Sequence, residues 1–112
     1  MEKILVVNND EDTMSLLKMW LERKNYKVKY TSNQQEVPHL VREFNPHLVI
    51  VDILQKDVVD KIKDDNETTH VPVLLMTGYT QRQNLRGTNA NDVIEKPFNL
   101  ALLEKKIERL VS

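Results

Sequence analysis

Cysteine is missing from all 112 residues. That excludes disulfides, thiolate nucleophiles and zinc–thiolate sites. Glycine is almost missing as well: Gly78 and Gly87 are the only two. They cannot make a Rossmann GxGxxG loop or a P-loop. No apolar run approaches the ~20 residues of a membrane span. Met1-Glu2-Lys3 passes straight into a short apolar stretch, without the pattern of a secretory signal. Neither sign of charge is in excess, with 16 Lys and Arg against 17 Asp and Glu and a formal net charge of −1. Nucleic acid and anionic membrane surfaces both call for a basic excess, so neither is an expected partner. What is present is ordinary for a soluble globular protein: 40% hydrophobic and 29% charged residues. The length fits one domain over residues 1–112, and the expected location is the cytoplasm.

Short apolar runs alternate with amphipathic stretches. Ile4-Leu5-Val6-Val7, Leu48-Val49-Ile50-Val51 and Val71 to Met76 read as buried strands, rich in β-branched residues and closed by polar ones. Lys27 to Thr31 alternates, with Val28 and Tyr30 on one face, as an edge strand does. Asp92-Val93-Ile94-Glu95 is a weaker fifth strand. Between them, Met14, Leu17, Trp20 and Leu21 fall at helical spacing over Thr13 to Lys24. Leu100, Leu103, Ile107 and Leu110 form the stripe of a last helix, with Asn99 as its N-cap. Gln34 to Phe44 contains Pro38, so its regular part should begin there or its first turn be irregular. Asp57 to Asp65 is short, with Val58, Val59 and Ile62 as its buried side. Thr80 to Asn89 offers little apolar surface beyond Leu85. Five strands alternating with five helices predict an α/β fold: a doubly wound parallel sheet with helices on both faces. In such sheets ligands sit beyond the carboxyl ends of the strands.

Those ends carry the chemistry. The first strand ends in Asn8-Asn9, the third in Asp52, the fourth in Thr77-Gly78 and the fifth in Lys96-Pro97. A carboxylate, a hydroxyl and an ammonium group in one crevice suit phosphoryl transfer: Asp52 as acceptor, Thr77 as hydrogen-bond donor, Lys96 as a point charge for phosphate oxygens. Taken one at a time, the same residues are a strand-end acid, a turn hydroxyl and a surface lysine; their joint placement is what points to function. His39, His47 and His70 are scattered and are not expected to bind metal. Asp10-Glu11-Asp12 reads as a solvated helix start, with the supply of a metal ligand, Asp10 first, as its alternative.

The pieces Lys3-Ile4-Leu5-Val6-Val7, Pro46 through Asp52, Val71-Pro72-Val73 through Met76-Thr77-Gly78, and Glu95-Lys96-Pro97-Phe98 lie in order along the chain. In this respect the sequence resembles the receiver domains of two-component response regulators, over essentially its whole length. The resemblance implies the flavodoxin-like strand order 2-1-3-4-5, which is the known order of the family's chemotaxis regulator. It also implies a cis Lys96-Pro97 bond, with Asp52 as phosphoacceptor, Thr77 as switch hydroxyl and Lys96 as the lysine that reads the phosphoryl group. The chain would then be a signalling domain and not a turnover enzyme. Its partners would be a histidine kinase or phosphotransfer protein upstream and an output protein downstream.

The departures from the family pattern carry equal weight. Asn8 and Asn9 stand where the family usually has two carboxylates that help hold Mg²⁺. The implied metal ligands here are Asn9, Asp52 and the Leu54 carbonyl. Mg²⁺ prefers hard, charged oxygens in near-octahedral array. One unit-charge pair at about 4 Å is worth ~4 kcal/mol at an effective dielectric of about 20. Loss of two carboxylates therefore predicts weak Mg²⁺ binding at best. The loop after Asp52 is several residues short, lacks the family's Pro and Gly, and Val93 replaces a common aromatic residue. These departures open a second reading, a pseudo-receiver that acts as a phosphorylation-independent interaction module.

Overall fold

The structure is a computed structural model, and it describes residues 2–78, 87–97 and 99–112. Strand β1 spans Lys3–Val7, helix α1 Glu11–Arg23, β2 Lys27–Thr31, α2 Val37–Phe44, β3 Leu48–Asp52, α3 Asp57–Lys63, β4 Val73–Thr77, β5 Asp92–Glu95 and α4 Leu100–Val111. Single 3₁₀ turns at Gln34–Glu36 and Ile53–Gln55 precede α2 and α3. All strand pairs are parallel, in the order β2-β1-β3-β4-β5. This is the flavodoxin-like order that the family resemblance implied.

The two faces of the sheet follow the two-residue strand period. Ile4, Val6, Ile50, Leu74, Met76 and Ile94 pack with Leu17 and Leu21 of α1 and Leu103 and Ile107 of α4. Leu5, Val7, Val49, Val51 and Leu75 point the other way, onto Val37 and Val41 of α2 and Val58 and Ile62 of α3. Every residue of β3 and β4 is buried, as two-sided coverage by helices requires. In β2 exposed and half-buried positions alternate until Thr31, because β2 is an edge strand.

Local signals set the element ends. Asp10 occupies the N-cap position of α1 with extended backbone. Asn99 caps α4 by accepting the Leu102 N–H at 3.2 Å. Pro38 lies in the first turn of α2, where its missing N–H costs nothing, and the irregular lead-in is the 3₁₀ turn. Asn45 ends α2 in the left-handed region, φ 53°. β4 starts at Val73 and not at Val71, since Pro72 has no N–H to give the ladder; its carbonyl accepts from Val49 N–H at 3.0 Å instead.

The helix expected over Thr80 to Asn89 falls largely outside the described residues. Its described remainder is a turn at Gly87, φ 75°, followed by irregular chain. Trp20 and Met14 are half-buried against the α1–α4 core, Met76 is fully buried, and Met19 is exposed. The His47 Nδ1 accepts the Lys3 N–H at 2.9 Å, a structural contact.

Candidate functional site

β1 and β3 run side by side, with Val7 opposite Val51. One step further along both strands, Asn8 comes opposite Asp52. By alternation both continue the face that carries Val6 and Ile50. Adjacent strands lie ~4.8 Å apart, so the Asn8 side chain is the immediate neighbour of Asp52. On the far side, Asp52 is opposite Met76, and Thr77 opposite Glu95. The Lys96 N–H donates to the Thr77 carbonyl at 2.7 Å, which carries the ladder one residue past β5. The Lys96-Pro97 peptide bond is cis, as the resemblance implied.

Asp52 is 3% exposed, and each of its carboxylate oxygens is engaged. Oδ1 accepts from Lys96 Nζ at 2.9 Å, and Oδ2 accepts from the Leu54 N–H at 2.9 Å. A buried carboxylate is tolerated only when paired and hydrogen-bonded, and these two bonds meet that need. Lys96 Nζ is also 4.0 Å from Asp10 Oδ2. The same Asp10 oxygen accepts the Thr13 hydroxyl at 2.6 Å. That hydroxyl, aided by backbone N–H groups and the Lys96 charge, outweighs desolvation and holds the Asp10 carboxyl below its ordinary range. Asp10 thus serves the helix start and at the same time faces the crevice.

The structure brings Asp52 and Lys96 into direct contact. Thr77 is buried at the neighbouring strand end, but its hydroxyl donates to the Gly78 carbonyl at 3.1 Å and not to Asp52. Leu54 meets Asp52 through its backbone N–H, while its side chain is exposed. Asn9 is exposed at the mouth of the crevice.

Asn8 is the residue that sequence reasoning undervalued. It is 0% exposed. Its Oδ1 accepts the Asp10 N–H at 2.7 Å, and only an oxygen can accept from a backbone N–H. The amide orientation is fixed in this way, and Nδ2 is left buried with no partner among the described residues. An unpaired buried donor of this kind costs about 1–3 kcal/mol. Strand alternation alone, carried one residue past Val7, would have placed Asn8 on the Asp52 face.

Beside the crevice a cleft of about 510 Å³ opens between α1 and the ends of β1 and β2, lined by Asn8, Asn9, Glu11, Ser15, Tyr30 and Ser32. The Tyr30 hydroxyl is also buried and unpartnered, and burial pushes it up to about 12.

The donor set does not fit Mg²⁺. Of the implied ligands, Asp52 already satisfies Lys96 and Leu54 N–H with its two oxygens. Asn9 and the Leu54 carbonyl bring no charge. The Asn8 oxygen is taken by Asp10, and the atom it presents instead is a donor. Among the described residues no three His, Cys, Asp or Glu side chains gather into a metal-binding group. A divalent ion that needs charged oxygens finds two carboxylates here, Asp52 paired with Lys96 at 2.9 Å and Asp10, whose Oδ2 accepts the Thr13 hydroxyl and lies 4.0 Å from the same ammonium group.

Comparison with known proteins agrees with the fold. The chain is 29% identical over 107 residues to the polar-differentiation response regulator DivK of Brucella anthropi, covering 88% of this chain and 87% of that protein. It is 30% identical over 105 residues to the transcriptional regulatory protein SrrA of Staphylococcus aureus, covering 87% of this chain but 42% of SrrA, so it spans less than half of that relative. Its backbone matches the receiver domain of the sensor histidine kinase PA1611 from Pseudomonas aeruginosa with a TM-score of 0.89 at 18% identity, covering 98% of this chain and 97% of that one; that structure has magnesium coordinated in its active site cleft. A profile of the response regulator receiver domain matches residues 4–108. The strand order, the acidic strand end and this match together lead to one conclusion: the chain belongs to the receiver domain family of two-component response regulators.

Proposed function

We propose that this receiver is a phosphoryl-accepting switch of a two-component pathway, with Asp52 as the acceptor. The observation that carries the reading is the nearly buried Asp52 carboxylate at the end of β3, paired with Lys96 Nζ at 2.9 Å. A histidine kinase or phosphotransfer protein would present a phosphohistidine. An Asp52 oxygen forms the new O–P bond as the P–N bond breaks, and the departing imidazole nitrogen keeps the electron pair and takes a proton. Phosphoryl transfer asks a protein for positioning and charge stabilisation more than for covalent chemistry. Lys96 supplies the positive charge. Thr77 can turn its hydroxyl from Gly78 to a phosphoryl oxygen.

The acyl phosphate carries about −1.5 to −2 charges where the Asp52 carboxylate carried −1, and it projects them further into the crevice. Lys96 and Thr77 then shift, and with them the start of α4 just beyond Pro97, which is the signal an output protein would read. The domain would cover residues 1–112, act in the cytoplasm and contact no nucleic acid itself.

Asn8, Asn9 and the poor fit to Mg²⁺ favour a second reading, a pseudo-receiver that engages its partner without phosphorylation. Partner binding separates the two. A phosphorylation switch binds its output protein differently after treatment with a small phosphodonor, and Asp52→Asn abolishes the difference. A pseudo-receiver binds equally in all of these states.

A further inference from the structure

The crevice has a hydrogen-bond donor where a cation-binding site needs an acceptor. Asn8 Nδ2 is buried and unpartnered among the described residues, on the residue that follows the Val7–Val51 pair and so neighbours Asp52 across the strands, and its orientation is fixed by the 2.7 Å bond from Asp10 N–H to Oδ1. The Asn8 oxygen is directed at the Asp10 N–H, which leaves the nitrogen as the amide's other polar atom. As it stands, the group suits an anion. Asn8 is also a wall of the 510 Å³ cleft beside the crevice.

We propose that the Asn8 amide nitrogen stands in for the divalent cation, donating a hydrogen bond to an oxygen of the incoming phosphoryl group, so that phosphorylation of Asp52 needs no Mg²⁺. The proposal rests on the reading of Asp52 as acceptor. With acetyl phosphate as donor the step balances without a metal or a co-reactant. An Asp52 carboxylate oxygen forms a bond to phosphorus, the bond from phosphorus to the acetyl oxygen breaks, and acetate leaves with the electron pair. Negative charge spreads over the phosphoryl oxygens during transfer. Two donors on the same sheet face as the acceptor then offset it: Lys96 as a full charge and Asn8 as a neutral, preorganised N–H. Lys96 alone has a competing carboxylate, Asp10, at 4.0 Å. The Asn8 donor has no competing partner among the described residues.

The test is the rate of labelling by acetyl phosphate, followed by intact mass, in excess chelator and in millimolar Mg²⁺. The proteins are wild type, Asn8→Ala, Asn8→Asp and Asp52→Asn. The expected result is equal labelling of wild type with and without Mg²⁺, and a fall on the order of 10²-fold for Asn8→Ala in both conditions. Asn8→Asp should be labelled poorly in chelator and regain its rate in Mg²⁺. A second readout is broadening of backbone resonances by Mn²⁺. It should leave residues around Asp52 sharp in wild type and broaden them in Asn8→Asp. Wild type that is labelled only with Mg²⁺, or broadened by Mn²⁺ as strongly as Asn8→Asp, overturns the role of Asn8 and leaves Asp52 as acceptor. Wild type that stays unlabelled in both conditions overturns the acceptor reading and this proposal together.

Discussion

Lys96 stands between two carboxylates at unequal distances, 2.9 Å from Asp52 and 4.0 Å from Asp10. The nearer one is almost wholly buried. Replacing Lys96 by Ala leaves the Asp52 charge with the Leu54 N–H as its one described partner. The expected cost is about 1–3 kcal/mol, the penalty of an under-satisfied buried group, seen as a lower denaturant midpoint. The same variant should still take up a phosphoryl group slowly, while amide shifts across α4 that accompany wild-type labelling disappear. Retention of those shifts would show that Lys96 does not read the acceptor. Asp52 and Lys96 were legible in the sequence because each closes a strand, and strand ends converge in a parallel sheet. The direction of the Thr77 hydroxyl was not legible. A rotamer chooses between the nearby Gly78 carbonyl and a more distant carboxylate, and no pattern of residue types encodes that choice. The burial of Asn8 was overlooked for a different reason: its polarity reads as a loop, while its parity continues the strand.

The end of the sheet at β5 is fastened by Asp92. Lys106 Nζ lies 3.0 Å from both of its oxygens, and Arg109 adds a further contact. Partial burial pushes the Asp92 carboxyl up, but the Val93 N–H, Lys106 and Arg109 outweigh it and hold the group below its ordinary range. A depressed carboxylate stabilises the fold above its unfolded pKa of ~3.9. That contribution fades as pH falls through the lower folded value. Asp92→Asn should therefore cost about 1–2 kcal/mol near neutral pH, and the gap to wild type should close in strong acid. Urea midpoints across that pH range measure it; a gap that widens in acid would contradict the sign. Leu103 of α4 is fully buried, and Leu103→Ala should cost about 2–5 kcal/mol, measured the same way. The Leu100 to Val111 helix was fully legible, since its stripe and its Asn99 cap agree. The start of β4 and the lead-in to α2 were legible only to within a turn or two residues, because proline moves an element boundary by an amount that tertiary packing decides.

Across the whole molecule, stability should grade from the centre of the sheet outward. β3 lies between β1 and β4 and is buried at every position, whereas β2 has one neighbour and alternates. Amides of Val49 to Val51 should exchange only through global unfolding, and those of β2 earlier, through local opening. Equal protection in both strands would contradict this gradient. At this scale the alternation of apolar runs and amphipathic stretches made a doubly wound sheet legible. The order 2-1-3-4-5 came from family resemblance, since hydrophobic pattern alone does not rank the permutations of buried strands. The central claim, that the buried carboxylate at the end of β3 is the chemical centre of the molecule, is tested most directly by intact mass after exposure to acetyl phosphate. The account predicts that wild type gains the mass of one phosphoryl group and that Asp52→Asn, equally folded by circular dichroism, gains none. Equal labelling of the two proteins, or no labelling of wild type, would contradict it.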